Sequence, residues 1–216
     1  MRTLLCSTFI LLAGCQAMHE QPRSFSSITL PWRVGFTVPS CMDAWVEWAG
    51  AEDMQGRYLR LAGGVPAYGC STTSNEEQAR GWKAIGVGGM GLSGYDLPKR
   101  LYIRWQSIVE QKTYKAWVDL PEEARTLLRL SNTTLCPATP EDDEPVGMAI
   151  NMGLAPGGVI IVWVRDPCFK PIQVARLQAE IEPLGPHQGE SEGHYYPQKE
   201  ASKRYIERFG IPYGSW

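Results

Sequence analysis

From Ile28 onward, apolar and polar residues mostly alternate with a period of two, broken by clusters of Gly, Pro, Asp and Asn. That is the pattern of strands that bury one face and wet the other. Aromatic and branched runs at 33–38, 44–49 and 57–61 predict the first three strands. The clearest pair follows. In Leu101-Tyr102-Ile103-Arg104-Trp105-Gln106-Ser107-Ile108 the odd positions are mainly apolar, and Tyr114-Lys115-Ala116-Trp117-Val118 returns after the polar Glu110-Gln111-Lys112, the outline of a hairpin. Residues 146–154 set large apolar side chains on one face and small ones on the other. After Pro156-Gly157-Gly158, residues 159–164 are apolar on both faces, which predicts a strand in the middle of a sheet with a layer over each side. Residues 172–181 change phase part-way: a bulged strand explains the change, and a helix through Val174, Leu177 and Ile181 stays open.

Two helices are predicted. Residues 121–130 have Pro121 in the first turn, Glu122 and Glu123 at the positive end of the helix dipole and Asn132 beyond the last turn. Residues 197–209 end at Gly210 with Pro212 behind it, and place Tyr205 and Phe209 four apart. The predicted class is α+β: a predominantly antiparallel sheet, sandwich-like or singly curved, with two covering helices. Stretches 81–94 and 184–196 are glycine-rich and aperiodic, and loops of that length are usually functional or mobile.

The N-terminus carries a different signal. An apolar run at 4–12 follows Arg2, far short of the ~20 residues a membrane-crossing helix needs, and it closes on Leu12-Ala13-Gly14-Cys15, which reads as a bacterial lipobox. Residues 1–14 are expected to be removed as a lipoprotein signal peptide, leaving Cys15 as the acylated N-terminus. The competing interpretation is an ordinary signal peptide whose cleavage site happens to precede a cysteine. Gln16, where an Asp would resemble an inner-membrane retention signal, favours the periplasmic face of the outer membrane. Residues 15–27 read as a lipidated flexible tether and 28–216 as one β-rich globular domain.

Composition narrows the function. Hydrophobic residues make up 44% of the chain, enough for a packed core, and a net charge of −2 with no basic block gives no electrostatic footprint for nucleic acid. Of six cysteines, Cys6 leaves with the signal and Cys15 is acylated. Cys41, Cys70, Cys136 and Cys168 remain, and an oxidising compartment predicts two disulfides among them. Pairing 41 with 70 and 136 with 168 closes the shorter loops. Four zinc ligands are the rival interpretation, but no CxxC pair is present.

No catalytic constellation emerges, and no cofactor or metal is expected. Of the three histidines, His19 lies in the tether, so His-dependent chemistry would have to use His187 or His194. With Glu190 and Glu192 between them these could ligate a metal, but a Gly/Glu-rich loop lacks the rigid spacing such a site needs. Gly91-Leu92-Ser93-Gly94 misses the nucleophile-elbow spacing. Gly86-Val87-Gly88-Gly89-Met90-Gly91 matches GxGxxG, yet turn-rich residues follow where a helix would have to open. The acidic run 141–144 lies between Pro140 and Pro145 and reads as a solvated linker rather than a pair of catalytic carboxylates. Asn132-Thr133-Thr134 has the form of a glycosylation sequon and reads as loop composition. Eight tryptophans are the remaining distinctive feature. On strands they are expected in the core; on loops, aromatic residues concentrate binding energy.

The lipobox, Pro31-Trp32 with Val34-Gly35-Phe36, Leu97-Pro98 ahead of 101–107, Leu154-Ala155-Pro156-Gly157-Gly158, Gln173-Val174-Ala175-Arg176 and the ending Tyr205-Ile206-Glu207-Arg208-Phe209-Gly210-Ile211-Pro212-Tyr213-Gly214-Ser215-Trp216 carry a resemblance. Together they resemble the Gram-negative lipoproteins grouped as domain of unknown function 2931, over nearly the whole chain after Cys15. These motifs are turns and strands, and the family has no established catalytic residues to carry over. The resemblance implies a setting: related lipoproteins accompany type VI secretion effector clusters, where a periplasmic lipoprotein neutralises a toxic lipase. The leading expectation is therefore a membrane-anchored protein-binding module, an immunity protein. Its contacts are expected in and beside the two long loops, at Tyr95, His187, His194, Tyr195 and Tyr196. A periplasmic hydrolase using His187 or His194 and a structural or assembly lipoprotein of the envelope are the alternatives.

Overall fold

A computed structural model describes residues 32–67, 69–70, 77–86, 90–92, 95–131, 149–165 and 170–216. The signal peptide, Cys15, the tether, Cys136, Cys168 and the acidic run 141–144 lie outside the described residues. Among the described residues, eleven strands form two sheets. In chain order the elements are β1 (Trp32–Thr37), β2 (Ala44–Asp53), β3 (Tyr58–Ala62), β4 (Val65–Ala67), β5 (Met90–Leu92), β6 (Pro98–Ser107), β7 (Lys112–Asp119), α1 (Glu122–Ser131), β8 (Ala149–Ala155), β9 (Val159–Arg165), β10 (Ile172–Gln178), β11 (Glu180–Ile181) and α2 (Glu200–Phe209). The first sheet runs β10-β9-β8-β1-β5; the second runs β11-β7-β6-β2-β3, with β4 also on β2. Pairing is antiparallel except between β1 and β8, which are parallel from Arg33↔Ala149 to Thr37↔Gly153.

Alternation explains how the sheets meet. Val34, Ile150, Met152, Ile160 and Val162 from the first sheet share one buried cluster with Val46, Leu101, Ile103, Trp105 and Val118 from the second. Burial of two inner faces against each other is a sandwich, the first of the two expected architectures. Helix α1 adds Ala124 and Leu128 to this core. The other face of β9 is also covered, since Ile161 and Trp163 are buried. The ring of Trp82 lies edge-on to Trp163 at 5.0 Å, over the small-residue face of β8. Helix α2 secures that covering segment. Its Tyr205 hydroxyl accepts hydrogen bonds from the backbone of Gln78 (2.7 Å) and Ala79 (2.9 Å), and the Trp216 indole donates to Pro156 O at 3.1 Å.

Two expectations need correction, and one open alternative is decided. The predicted loop 81–94 contains β5, which pairs with β1 at Trp32↔Leu92; at three residues it is too short to show a period. The second helix begins at Glu200 rather than at Pro197. Of the two readings of 172–181, the bulged strand holds for Ile172–Gln178, whose backbone partners come from β9; the bulge falls between Gln173 and Ala175. At Ala179, whose N–H donates to Gly158 O at 2.8 Å, the chain leaves the first sheet, and β11 enters the second beside Lys115 and Tyr114.

Cys41 and Cys70 are joined in a disulfide. A loop of that length lowers unfolded-chain entropy by an amount worth about 3–4 kcal/mol. The Ser202 hydroxyl donates to Cys41 O at 2.5 Å and ties α2 to the bridge. Next to it, Asp43 is 1% exposed. Burial pushes this carboxyl above the usual carboxylate range, against the opposing pull of the Lys199 charge and the Gly69 amide. A carboxyl raised in the folded state contributes most below its unfolded pKa, and that contribution is lost as pH rises through the folded value. Asp43→Asn is therefore expected to raise the thermal midpoint near neutrality, with the gain shrinking to nothing near pH ~3, below the value of an aspartate in an unfolded chain. An equal gain at both pH values would remove the carboxylate from the explanation.

Candidate functional site on the outer face of the second sheet

The phase that buries Leu101, Ile103 and Trp105 turns Arg100, Tyr102, Arg104 and Gln106 outward, and the phase that buries Tyr114 and Val118 turns Lys115 and Trp117 outward. A bulge in β2 between Val46 and Trp48 brings Glu47 and Trp48 to the same side. This outer face has two halves with different chemistry.

In the first half a buried carboxylate organises a strap. Glu47 receives Arg104 Nε at 2.6 Å, Gln106 Nε2 at 2.8 Å and the backbone N–H of His187 at 2.7 Å. The Gln106 side-chain oxygen accepts from Tyr196 N at 3.1 Å, and the Tyr196 ring stacks on Trp45 at 3.9 Å. Residues 186–196 thus lie down on the sheet. His187, Gln188 and Glu192 hold left-handed backbone within this segment, at φ 51°, 56° and 50°, a conformation that non-glycine residues keep only when surrounding contacts impose it.

The second half is bare. Trp48, Tyr58 and Trp117 are 38%, 68% and 41% exposed. They interlock through Tyr102: Trp48 to Tyr102 at 5.0 Å and 57°, Tyr102 to Trp117 at 5.1 Å and 57°, and Trp117 to Tyr58 at 6.3 Å and 70°. Rings inclined in this way form an edge-to-face cluster rather than a flat platform. The Arg100 guanidinium sits over the Trp117 ring at 4.2 Å and donates to Glu52 Oε2 at 2.6 Å. Hydrogen bonding from Arg100 holds the Glu52 carboxyl below the usual range; partial burial works against this, and Tyr58 and Lys99 reinforce it. The aromatic cluster is therefore fixed in place by a charged network before anything binds. A cavity of about 460 Å³, with Tyr102, Trp117 and Lys115 on one side and Leu177 and Glu180 on the other, opens at the end of this half.

Of the residues expected from sequence, His187 and Tyr196 come together, ring to ring at 6.0 Å, on the strap. His194 is exposed, with Nδ1 2.8 Å from Ser191 O. Tyr195 is half-buried, and Tyr95 is exposed with the Arg57 guanidinium 5.3 Å from its ring centre. Sequence reasoning missed Trp48, Tyr58, Tyr102 and Trp117. The rule that strand tryptophans are core holds for Trp32, Trp105 and Trp163 and fails for Trp48 and Trp117. The signal that finds Tyr102 and Trp117 is phase: each is an aromatic residue standing where its strand should be polar.

Among the described residues, no group of three or more His, Cys, Asp or Glu side chains is placed to hold a metal ion, and no helix is long and apolar enough to cross a membrane. A family described as "Protein of unknown function (DUF2931)" matches residues 16–214. No curated protein and no solved structure matches the chain.

Proposed function

The chain belongs to the DUF2931 family, and from that premise we propose a protein-binding module whose contact surface is the bare half of the second sheet's outer face. One observation carries this reading: Trp48, Tyr58 and Trp117 are exposed together, with Arg100 locked against Trp117. Tryptophan, tyrosine and arginine are the residues in which interface energy concentrates, and side chains already fixed by neighbours lose little entropy on binding. The lipobox supports a setting in which acylated Cys15 holds the domain at the periplasmic face of the outer membrane. With the family resemblance, it favours a secreted, lipid-directed toxin such as a lipase as the partner. An inhibitor held on the membrane that such a toxin attacks would meet it at high effective concentration.

The hydrolase reading gains nothing from the two histidines. The ring contacts of His194 and His187 are a backbone carbonyl and the Tyr196 ring, respectively; among the described residues neither ring is hydrogen-bonded to a carboxylate or to a nucleophile.

The test is capture of the partner from membranes, followed by titration of the purified pair. Trp48→Ala and Trp117→Ala are each expected to weaken binding by about 2 kcal/mol, roughly thirtyfold, because each truncates an exposed aromatic anchor of hot-spot type. Lys203→Ala, an exposed residue of helix α2, serves as the reference. Unchanged affinity in both tryptophan variants would remove this face from the interface.

A further inference from the structure

We propose that the uncovered edge of β7 at Trp117 and Asp119 receives an extended segment of the partner protein as an added strand. This deepens the protein-binding reading and rests on it. Strand β7 has eight residues, whereas β11 beside it has two. Glu182 N donates to Thr113 O at 2.8 Å, so odd-numbered residues of β7 direct their backbone groups toward the β11 side. Leu120 N donates to Lys99 O at 3.0 Å, which places the even-numbered set on the β6 side and agrees with that assignment.

Beyond Lys115 the neighbouring strand departs, because Gln178 already pairs with Val159 in the first sheet. The N–H and C=O groups of Trp117 and Asp119 then face the position that β11 would have occupied. Among the described residues no strand pairs with them there.

The cavity lies at this point, where β7 and β10 diverge. Ala116 and Leu177 line it and also lean on the sandwich core, giving an apolar floor; Tyr102, Trp117, Lys115 and Glu180 line it as well. Its volume, about 460 Å³, falls in the ~300–1,000 Å³ range of ligand pockets. An unguarded strand edge is a template for another chain. Backbone donors and acceptors spaced along a strand select an extended peptide over a ring-shaped or globular ligand. Alternate side chains of that peptide would enter the apolar floor, and the others would lie along the Trp117 face.

The experiment selects binders from a display library of random decapeptides against the purified chain, then synthesises the best peptide with one N-methyl group at a time. Strand addition predicts that methylation at every second residue weakens binding about tenfold or more while the intervening positions tolerate it, a tenfold change being the order expected for a lost hydrogen bond. Amide exchange at Trp117 and Asp119 is expected to slow on binding. Leu177→Lys, which puts a charge on the cavity floor, is expected to abolish the protection; should that variant not fold, the methyl scan on the unaltered protein still decides.

A flat methyl scan, or a bound peptide that leaves the Trp117 amide unprotected, overturns the added strand while leaving protein binding at the aromatic face intact. A library with no binders, together with no partner captured from membranes, overturns both readings. Protection of Trp117 and Asp119 that grows with chain concentration and no peptide would mean that a second copy occupies the edge, and would also overturn the proposal.

Discussion

Glu47→Ala is expected to lower stability by about 3–5 kcal/mol, the cost of leaving a buried charge without its partner. The Glu47 side chain is 1% exposed and that of Arg104 is 10% exposed. Truncation strands the Arg104 guanidinium on a covered part of the sheet, and it also removes the acceptor for Gln106 Nε2 and for the His187 backbone N–H. At ~2–4 °C per kcal/mol for a chain of this size, the thermal midpoint should fall by about 10 °C. A local effect should accompany the global one: the His187 amide, protected in the unaltered protein, should exchange freely. Converting both partners to apolar residues, Glu47→Leu with Arg104→Met, is expected to recover most of the stability without restoring protection at His187, because no acceptor returns. A stability change below about 1 kcal/mol in Glu47→Ala, the scale of an exposed ion pair, would mean that water solvates Arg104 after all.

Gly153→Ala is the second large effect. A Cβ at this position would lie 2.5 Å from the Trp163 ring and 2.6 Å from the Trp82 ring. Both distances are well inside carbon–carbon contact, and the rings are packed edge to face against each other, so neither retreats without disturbing the other. Overpacking of this kind costs about 1–3 kcal/mol, and the upper end is expected here because Trp163 is buried on a strand interior to its sheet. Trp82→Leu should relieve the clash. In a double-mutant cycle by urea unfolding, Gly153→Ala is expected to cost at least about 1 kcal/mol less in the Trp82→Leu background than in the unaltered protein. Additive effects would show that the strand shifts as a whole instead of pressing on Trp82.

These cases show which parts of the molecule were readable from sequence. The hairpin of β6 and β7 was legible because both strands alternate cleanly and the polar turn between them is local. The double-sided apolar run in β9 correctly required two covering layers, and β8 showed large residues on one face and small ones on the other, without indicating what group lies over the small face. That the group is Trp82 was not legible, since it comes from a remote segment held down by Tyr205 of α2.

The strap was beyond sequence reasoning for a similar reason. Its main anchor is a backbone N–H meeting Glu47 across the fold, and any residue type at position 187 other than proline offers that donor. The exposed aromatic cluster was hidden by a burial habit. Trp48 and Trp117 are of a type usually found inside; phase relative to strand neighbours gives Trp117 away, whereas Trp48 shares the phase of buried Val46 and is turned outward only by the bulge between them. The bulge between Gln173 and Ala175 left a trace, the phase change in residues 172–181, for which a helix also stayed open; the departure of the chain from one sheet to the other at Ala179 was not legible.

The parallel ladder between β1 and β8 bears on the order of assembly. The second sheet's core grows from segments close in sequence, with β2 beside β3 and β4, and β6 beside β7. The first sheet cannot close this way, because β1, the first described strand, needs β8, and β8 lies beyond α1. Contacts between distant segments form late and slowly. An N-terminal half lacking residues 149–165 would keep Trp32 and Val34 without a covering strand, so a truncated or stalled chain is expected to remain sticky until the remainder of the polypeptide arrives.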